Sequence, residues 1–179
     1  MIVALACISA VAGAQNWKVE AGLGFAKYGG DVKLDPAFSY SVGAGYECKL
    51  NGNWSIQPNV FLTKKGGKED GVKSRANYLE IPVFISYRID CGDFNIVPQV
   101  GPYVAYGLWG KTKSDGSKFD TFSNNLLDEK DWGLQLRADM EYENYIVGVR
   151  YHFGLSDNNN SVGGSIKNRG LLFCFGYRF

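Results

Sequence analysis

Large apolar residues occupy every second position along most of the chain, and small or charged residues fill the gaps between them. The segment "WGLQLRADMEY" (132–142) alternates Trp, Leu, Leu, Ala, Met and Tyr with Gly, Gln, Arg, Asp and Glu. The last ten residues, "GLLFCFGYRF", repeat the pattern. Because successive side chains of a β-strand point to opposite faces, a period of two predicts strands with two different environments.

The alternation recurs in about eight segments, which predicts an all-β domain. It is present in "WKVEAGLGF", "FSYSVGAGYECK", "WSIQPNVFL", "NYLEIPVFISYR" and "NYIVGVRYHFGLS", and least clean in "FNIVPQVGPYVAYGLWG". Most segments reach the ~9–11 residues that a tilted transmembrane strand needs. Pro58, Pro82, Pro98 and Pro102 lie inside them and each removes a backbone donor, so bulges or local breaks are expected there and the strand boundaries around them stay open.

The connections between these segments alternate in length. Those at 51–52, 90–92 and 143–144 are short and hold residues typical of hairpin turns. The links "KKGGKEDGVKSR", "KTKSDGSKFDTFSNNLLDEK" and "SDNNNSVGGSIKNR" are long and polar. This predicts an up-and-down meander with one plain rim and one rim that carries long loops.

The polar face of the strands is predicted to be the inside of a barrel. It combines glycines with charges of both signs, which suits a narrow interior where long charged side chains need room. Charges in such an interior must pair, because an unpaired buried charge is very costly. The expected members of this lumen charge network are Glu20, Glu47, Glu80, Arg88, Arg137, Asp139, Glu141, Arg150 and Arg178.

The apolar face is predicted to lie in lipid, because it is continuous and carries aromatic residues near the strand ends, as interfacial girdles do. A sheet that spans a bilayer must close, since the hydrocarbon offers backbone groups no other partner. We therefore predict an eight-stranded antiparallel up-and-down transmembrane β-barrel with a polar lumen and a lipid-facing apolar exterior. A soluble ligand-binding barrel would have an apolar lumen, against the charges above. The expected girdle residues are Trp17, Tyr46, Trp54, Tyr87, Trp132, Tyr142, Tyr145, Tyr177 and Phe179.

The start of the chain predicts export. "MIVALACISAVAGAQ" is apolar and uncharged, and it is shorter than the ~20 residues of a spanning helix. It ends in Ala12 and Ala14 around Gly13, as at a signal-peptidase site. Residues 1–14 are expected to be a residual signal peptide and residues 15–179 the barrel domain. Ala4 stands three residues before Cys7, where a lipobox prefers Leu, so lipidation is not predicted.

Composition narrows the candidate chemistry. A length of 179 residues indicates one domain, and a net charge of +1 argues against a nucleic-acid partner. Beyond Cys7, the cysteines Cys48, Cys91 and Cys174 fit neither a disulfide framework nor zinc spacing, and a Cys48–Cys91 bridge stays open. His152 is the single histidine and has no evident nucleophile beside it, so we predict no enzyme and no catalytic, cofactor or metal site.

Two loop features bear on partners. A basic cluster is interpreted as a solvated loop, with contact to lipopolysaccharide phosphates as the alternative; its members are Lys64, Lys65, Lys68, Lys73 and Arg75. The longest loop carries apolar residues that are expected to pack over the barrel mouth or to bind a partner: Phe119, Phe122, Leu126 and Leu127.

The segments "YLEIPVFISY", "GPYVAYGLWGK", "VGVRYHFGL" and "NRGLLFCFGYRF" resemble the PorT-like outer-membrane β-barrel family, which is related in architecture to OmpX and to the OmpA transmembrane domain. The alternating Phe175, Tyr177 and Phe179 resemble the sorting signal that the barrel-assembly machinery reads, which implies the outer membrane of a Gram-negative bacterium. We predict a monomeric integral barrel with a structural or surface-interaction role, its lumen plugged by ion pairs. The alternative is a small pore for ions or solutes gated by the lumen charges.

Overall fold

The computed structural model describes residues 16–30, 35–69, 72–114, 117–120, 130–156 and 166–179. Within them eight long strands run in chain order: Trp17–Gly30 (β1), Asp35–Tyr46 (β2), Trp54–Glu69 (β3), Val72–Tyr87 (β4), Asn95–Ser114 (β5), Lys130–Tyr142 (β6), Tyr145–Gly154 (β7) and Ile166–Arg178 (β8). Short strands at Cys48–Lys49, Ile89–Asp90 and Ser117–Asp120 extend three of the hairpins. No helix in these ranges is long and apolar enough to cross a membrane.

Each strand pairs antiparallel with the next one along the chain, and β8 pairs with β1, so the sheet closes. The backbone N–H of Phe179 donates to the carbonyl oxygen of Trp17 at 2.9 Å, so the last residue lies beside the start of β1. The predicted eight-stranded up-and-down barrel is confirmed. We call the end with both of these residues the short-turn rim and the opposite end the long-loop rim.

The two faces of the wall differ as the alternation predicts. Along β6, exposed and buried residues alternate at all thirteen positions. Leu136 on the outer face is 49% exposed, whereas its neighbour Arg137 is 4% exposed. The apolar face is therefore outside and the polar face inside, which confirms the lipid-facing exterior. Tyr46 departs from the predicted girdle, because it lies buried with its ring 5.2 Å from that of Trp17.

A bulge explains why the alternation is poorest in the fifth segment. Tyr78 on β4 pairs with Gly107, but the preceding residue, Asn77, pairs with Trp109. Leu108 is thus an extra residue, and Leu108 and Trp109 are both exposed on the outer surface. A bulge of this kind shifts the period of two by one position, which blurs the pattern in the sequence.

The predicted effect of the prolines is confirmed only in part. Pairing between β3 and β4 skips two steps, those at Ile81 and Pro82, and pairing between β4 and β5 skips two steps, those at Gly101 and Pro102, in both cases without a change of register. Pro58 and Pro98 stay within paired ladders. Of the two expected outcomes, a local break is therefore confirmed at Pro82 and Pro102 and a bulge is not found at either, because a missing N–H interrupts a ladder without requiring an inserted residue.

The short links form tight turns. Gly52 and Gly92 adopt positive φ angles of 68° and 88°, and Glu143 has a φ of 49° in the two-residue link between β6 and β7. Cys48, Cys91 and Cys174 form no disulfide, so the Cys48–Cys91 bridge left open above is absent. The predicted signal segment, Phe122, Leu126 and Leu127 lie outside the described residues, as does the side chain of Phe119.

Two lumen-facing glycines of β1 differ in the space around them. A Cβ atom at Gly24 would overlap the backbone carbonyl of Leu171 on β8, whereas a Cβ at Gly22 would meet first the Ser41 hydroxyl, at 2.9 Å. A side chain can move aside, but a paired backbone cannot. We expect Gly24→Ala to lower the free energy of unfolding by about 1–3 kcal/mol, and Gly22→Ala by less than about 1 kcal/mol. Urea titration in detergent micelles measures both, and equal effects would contradict this explanation.

Candidate functional site in the barrel lumen

The lumen holds equal numbers of basic and acidic side chains in the described part of the chain. The six basic residues are Lys18, Lys65, Arg88, Arg137, Arg150 and Arg178. The six acidic residues are Glu20, Glu47, Glu80, Asp131, Asp139 and Glu141. The nine residues named from the sequence are all among these twelve, which form three clusters along the barrel axis. Lys18, Lys65 and Asp131 are the members that the sequence prediction of the network left out.

The rim cluster closes the short-turn end. Arg88 donates to Glu47 at 3.0 Å and also pairs with Glu141. Arg178 donates to Glu141 through Nη1 at 3.0 Å and lies 3.3 Å from Glu47. Ser55 adds a hydrogen bond to Glu47 at 2.9 Å. Two arginines and two glutamates therefore form a closed ring of contacts across the barrel mouth.

Glu47 follows β2 and is outside the strands. Burial alone would raise the pKa of its carboxyl, but the Arg178 and Arg88 guanidiniums more than offset that effect and hold the pKa below its ordinary value of 4.5. For Arg88, burial lowers the pKa of the guanidinium, and Glu141 and Glu47 reverse this and raise it. Both residues are thus charged across the physiological range.

This arrangement makes part of the stability dependent on pH. A carboxyl whose pKa is lowered by folding stabilises the protein above its unfolded pKa, and that contribution disappears as pH falls through the folded pKa. We expect the difference in unfolding free energy between the wild type and Glu47→Gln to be largest near pH 7 and to shrink below pH 4.5. Urea titrations from pH 7 to 3 measure it. A difference that stays constant over this range would contradict the ion-pair assignment.

The central cluster surrounds Arg137, which is fully buried on β6. Its Nε lies 2.8 Å from Asp139, and its Nη2 pairs with Glu20. Arg150 approaches Glu20 at 3.8 Å. Lys18 donates to Gln57 at 2.6 Å rather than to a carboxylate. Strands β1, β6 and β7 therefore meet through charges at mid-height.

Aromatic and small polar groups complete this level of the lumen. The Arg150 guanidinium stacks 4.1 Å over the ring of Phe61 and donates to the Ser41 hydroxyl. Gln99 donates to Asp139 at 2.6 Å. The rings of Phe61 and Phe84 are themselves fully buried. The centre of the barrel is filled with side chains, as expected for eight strands.

The outer cluster lies nearer the long-loop rim. Lys65 on β3 contacts Glu80 on β4 at 2.9 Å and Asp131 on β6 at 2.8 Å, and all three residues are buried. Its Nζ also lies 4.6 Å from the ring centre of Tyr103. Gln135 donates to Glu80, and Asp131 accepts hydrogen bonds from three side chains, those of Tyr103, Ser156 and Asn168.

Lys65 corrects a sequence interpretation. We expected it in a solvated basic loop, but β3 extends to Glu69 and carries Lys65 into the lumen. The lumen position of Lys65 could have been predicted from the sequence, because Phe61, Thr63 and Lys65 are alternate residues and therefore lie on one face of the strand. Asp131 has the parity of Gln135 and Arg137 in the same way. Both were missed because the strands were predicted to end too early at the long-loop rim.

His152 is buried in the lumen on β7, with its ring 6.4 Å from that of Tyr103. Neither of its ring nitrogens makes a hydrogen bond with a described residue. Its nearest register partners are Gly170 and Gln135, neither of which is a nucleophile. Across the described ranges, no group of three or more His, Cys, Asp or Glu side chains is arranged to hold a metal ion.

Comparison with known proteins agrees with the fold. The family model for the outer membrane protein beta-barrel domain matches residues 1–179. The attachment invasion locus protein Ail of Yersinia pestis is 16% identical, with a TM-score of 0.53 over 92% of this chain and 99% of Ail. Neisserial surface protein A is 17% identical, with a TM-score of 0.58 over 91% and 97%. The outer membrane enzyme PagL is 13% identical, with a TM-score of 0.60 over 90% and 99%.

These likenesses establish the architecture and not an activity, because an outer membrane enzyme, an attachment invasion locus protein and a surface protein share it. A search among curated proteins finds no match. The family model covers the whole chain, and the closed wall has the apolar exterior and polar interior of a membrane barrel. The chain therefore belongs to the outer membrane β-barrel family, and it lies in the outer membrane of a Gram-negative bacterium.

Proposed function

We propose that this protein is a monomeric structural or surface-interaction barrel whose lumen is plugged by ion pairs. The observation that carries the proposal is that the lumen holds six basic and six acidic side chains, which contact one another within three clusters. A conducting lumen would need an unoccupied polar path, but here guanidinium, carboxylate and aromatic groups occupy successive levels. The long-loop rim then becomes the surface available to partners. A structure of the fold relative Ail holds a heparin analogue, which supports a surface role.

A small pore gated by the lumen charges is the second candidate. It is favoured by the rim cluster alone, where Arg88 and Arg178 are partly exposed and contacts could rearrange. The central cluster argues against it, because Arg137 and Arg150 are fully enclosed there.

Single-channel recording of the refolded barrel in a planar bilayer tests this proposal, after a heat-dependent gel shift has shown folding. We expect the wild type to be silent. The double variant Glu20→Ser/Arg137→Ser leaves the net charge of the protein unchanged. It removes two large side chains from the central cluster and should produce discrete channel openings. Reproducible openings in the wild type would contradict the plugged lumen and favour the small pore. A control pair at the exposed outer positions Lys49→Ser/Lys130→Ser should stay silent.

We also propose that the barrel has no enzymatic activity. PagL shows that this fold can support catalysis, so the proposal depends on the site and not on the fold. His152 is the only histidine of the chain and lies enclosed beside Tyr103 without a nucleophile in hydrogen-bond contact. If the proposal is right, outer-membrane lipid profiles will be identical for the wild type and His152→Ala. A changed profile would contradict it.

A narrower family and a route of assembly are part of the same proposal. The "LEIP" segment of β4 supports the PorT-like family within the outer-membrane barrels. Residues 1–14 would be removed on export, leaving 15–179 as the barrel domain. Phe175, Tyr177 and Phe179 are exposed on the outer face at the end of β8, where the barrel-assembly machinery can read them. Deleting Phe179 should slow assembly by purified machinery in proteoliposomes.

A further inference from the structure

The outer cluster brings a primary amine and two carboxyl groups together in a closed space. Lys65 Nζ lies 2.8 Å from Asp131 Oδ2 and 2.9 Å from Glu80 Oε2, and each of these side chains is at most 1% exposed. The nitrogen also lies 5.3 and 4.6 Å from the ring centres of Tyr78 and Tyr103. Bulk water therefore does not reach the amine or either carboxyl group.

The carboxyl carbon of Asp131 is within reach of the Lys65 nitrogen. A C=O bond is about 1.2 Å long, so the distance from Nζ to this carbon is at most about 4 Å. Reacting atoms in a near-attack arrangement are about 3–3.5 Å apart, and rotation about the last side-chain bonds of Lys65 covers the difference. Holding two groups in this way raises their effective concentration to roughly 10⁵–10⁸ M. At such a concentration an amine and a carboxyl group can condense, although they remain separate in dilute aqueous solution.

Three side chains are placed to polarise the carboxyl group of Asp131. Ser156 donates a hydrogen bond to Oδ1 at 2.7 Å, and Asn168 and Tyr103 donate to Oδ2 at 3.0 and 3.3 Å. Donors fixed around a carbonyl group stabilise the negative charge that develops on its oxygens during nucleophilic attack. This arrangement favours Asp131 over Glu80 as the group that the amine attacks.

Glu80 is placed to carry the proton. Its Oε2 contacts Lys65, and its Oε1 accepts a hydrogen bond from Gln135 at 2.7 Å, which fixes the orientation of the carboxylate. An ammonium group has no free electron pair, so the Lys65 nitrogen must lose a proton before it can attack. Transfer of that proton to Glu80 cancels one positive and one negative charge, which is favoured where charges are shielded from water.

We propose that Lys65 and Asp131 become joined by an isopeptide bond, an amide between their side chains, with Glu80 as the proton carrier. The Lys65 nitrogen attacks the carboxyl carbon of Asp131, a C–N bond forms and a C–O bond breaks. Two of the three ammonium protons pass through Glu80 to the departing oxygen, which leaves as water, and the third stays on the amide nitrogen. Glu80 returns to its original state. The chain reacts once with itself, so the step needs no cofactor, oxidant or second substrate.

The bond ties β3 to β6 between positions that are 66 residues apart in the chain. The strands between them, β4 and β5, then belong to a covalent loop that stays closed when the barrel unfolds. Cross-links that close long loops stabilise a fold mainly by restricting the unfolded chain. The ion pairs of Lys65 form when the barrel folds, and the bond forms from that arrangement. The proposal does not depend on whether the lumen conducts.

The intact mass of the chain tests this proposal. Protein refolded from urea into detergent micelles is sampled over time, unfolded again in acid and measured by mass spectrometry. We expect the mass to fall by one water molecule after folding, whereas chain kept in urea should retain its full mass. Digestion should then release a branched peptide in which Lys65 is joined to Asp131. A folded wild type that retains its full mass would overturn the proposal.

Two variants test the roles of the amine and of the proton carrier, with folding checked by the heat-dependent gel shift. Lys65→Arg keeps the positive charge, but its guanidinium stays protonated and cannot form the amide, so the full mass should remain. Glu80→Gln keeps both reacting groups and should lose water about a hundredfold more slowly, as expected without a positioned acid–base group. An unchanged rate in Glu80→Gln would overturn the role given to Glu80.

The matched control is Lys18→Arg. Lys18 is also a buried lumen lysine, but it donates to Gln57 and not to a carboxylate. Folded Lys18→Arg should lose one water molecule as the wild type does. Loss of water from folded Lys65→Arg, or none from folded Lys18→Arg, would overturn the proposal. If Lys65→Arg does not fold, the branched peptide of the wild type decides, and its absence would overturn the proposal.

Discussion

Replacing Lys65 by methionine should lower the free energy of unfolding by about 3–5 kcal/mol. The ammonium of Lys65 lies 2.9 Å from Glu80 and 2.8 Å from Asp131, and no other lysine or arginine is within ion-pair distance of either carboxylate in the described residues. Methionine keeps most of the volume but leaves two carboxylates buried without a counter-charge. Urea unfolding in detergent micelles, followed by the heat-dependent gel shift, measures the loss.

Lys64 supplies the matched control, because it is the next residue on the same strand and lies on the opposite face. Its side chain is half-buried, and its ammonium lies 5.5 Å from the ring centre of Tyr40. Lys64→Met should cost no more than about 1 kcal/mol, the usual size of a partly exposed cation–π contact. Equal losses for the two variants would mean that the outer cluster adds nothing beyond the packing of a long side chain.

Arg137→Met is expected to have an effect of the same size, about 3–5 kcal/mol. Arg137 is fully buried and joins Glu20 on β1 to Asp139 on its own strand. Without the guanidinium, Asp139 keeps the hydrogen bond from the Gln99 amide, and Glu20 keeps Arg150 at 3.8 Å. Two buried carboxylates then lose their closest counter-charge. The same urea titration reports the change.

Two further variants separate the cost of an uncompensated buried charge from a general loss of packing. Arg88 also contacts two carboxylates, but it is partly exposed and Arg178 shares both partners, so Arg88→Met should cost about 1 kcal/mol or less. Adding Asp139→Asn to Arg137→Met removes the carboxylate that loses its partner, while Glu20 keeps Arg150, and should restore at least half of the lost stability. No recovery in this double variant would rule out an uncompensated charge as the cause.

The sequence was sufficient for the fold class and for the two faces of the wall. Alternation is a local property, so "WGLQLRADMEY" reveals its inside and outside without knowledge of any partner strand. The alternating lengths of the links likewise revealed the meander. The irregular fifth segment was not resolvable in this way, because the bulge at Leu108 is defined by its pairing with β4 and not by β5 itself.

The candidate site was predictable only as a set of residues. Parity placed Arg137 and Glu20 in the lumen, but strand ends were judged from composition, so Lys65 was assigned to a loop and Asp131 was left out of the strand predicted to begin at Trp132. A strand can continue beyond the membrane into water, where its outer face need not be apolar. The alternation of apolar and polar residues then disappears, and such strand ends are predicted as loops. The same continuation sets the register of β3 and β4 near that rim, with Lys68 paired to Lys73, which no single segment of the sequence shows.

The sequence by itself determined that this chain is an outer-membrane barrel with charges inside and rings outside, because each strand records its own two environments. The tertiary structure alone decided which charges meet. Lys65 and Asp131 are 66 residues apart and come from β3 and β6. Their contact depends on how the closed sheet staggers its strands, and closure is a property of all eight strands together.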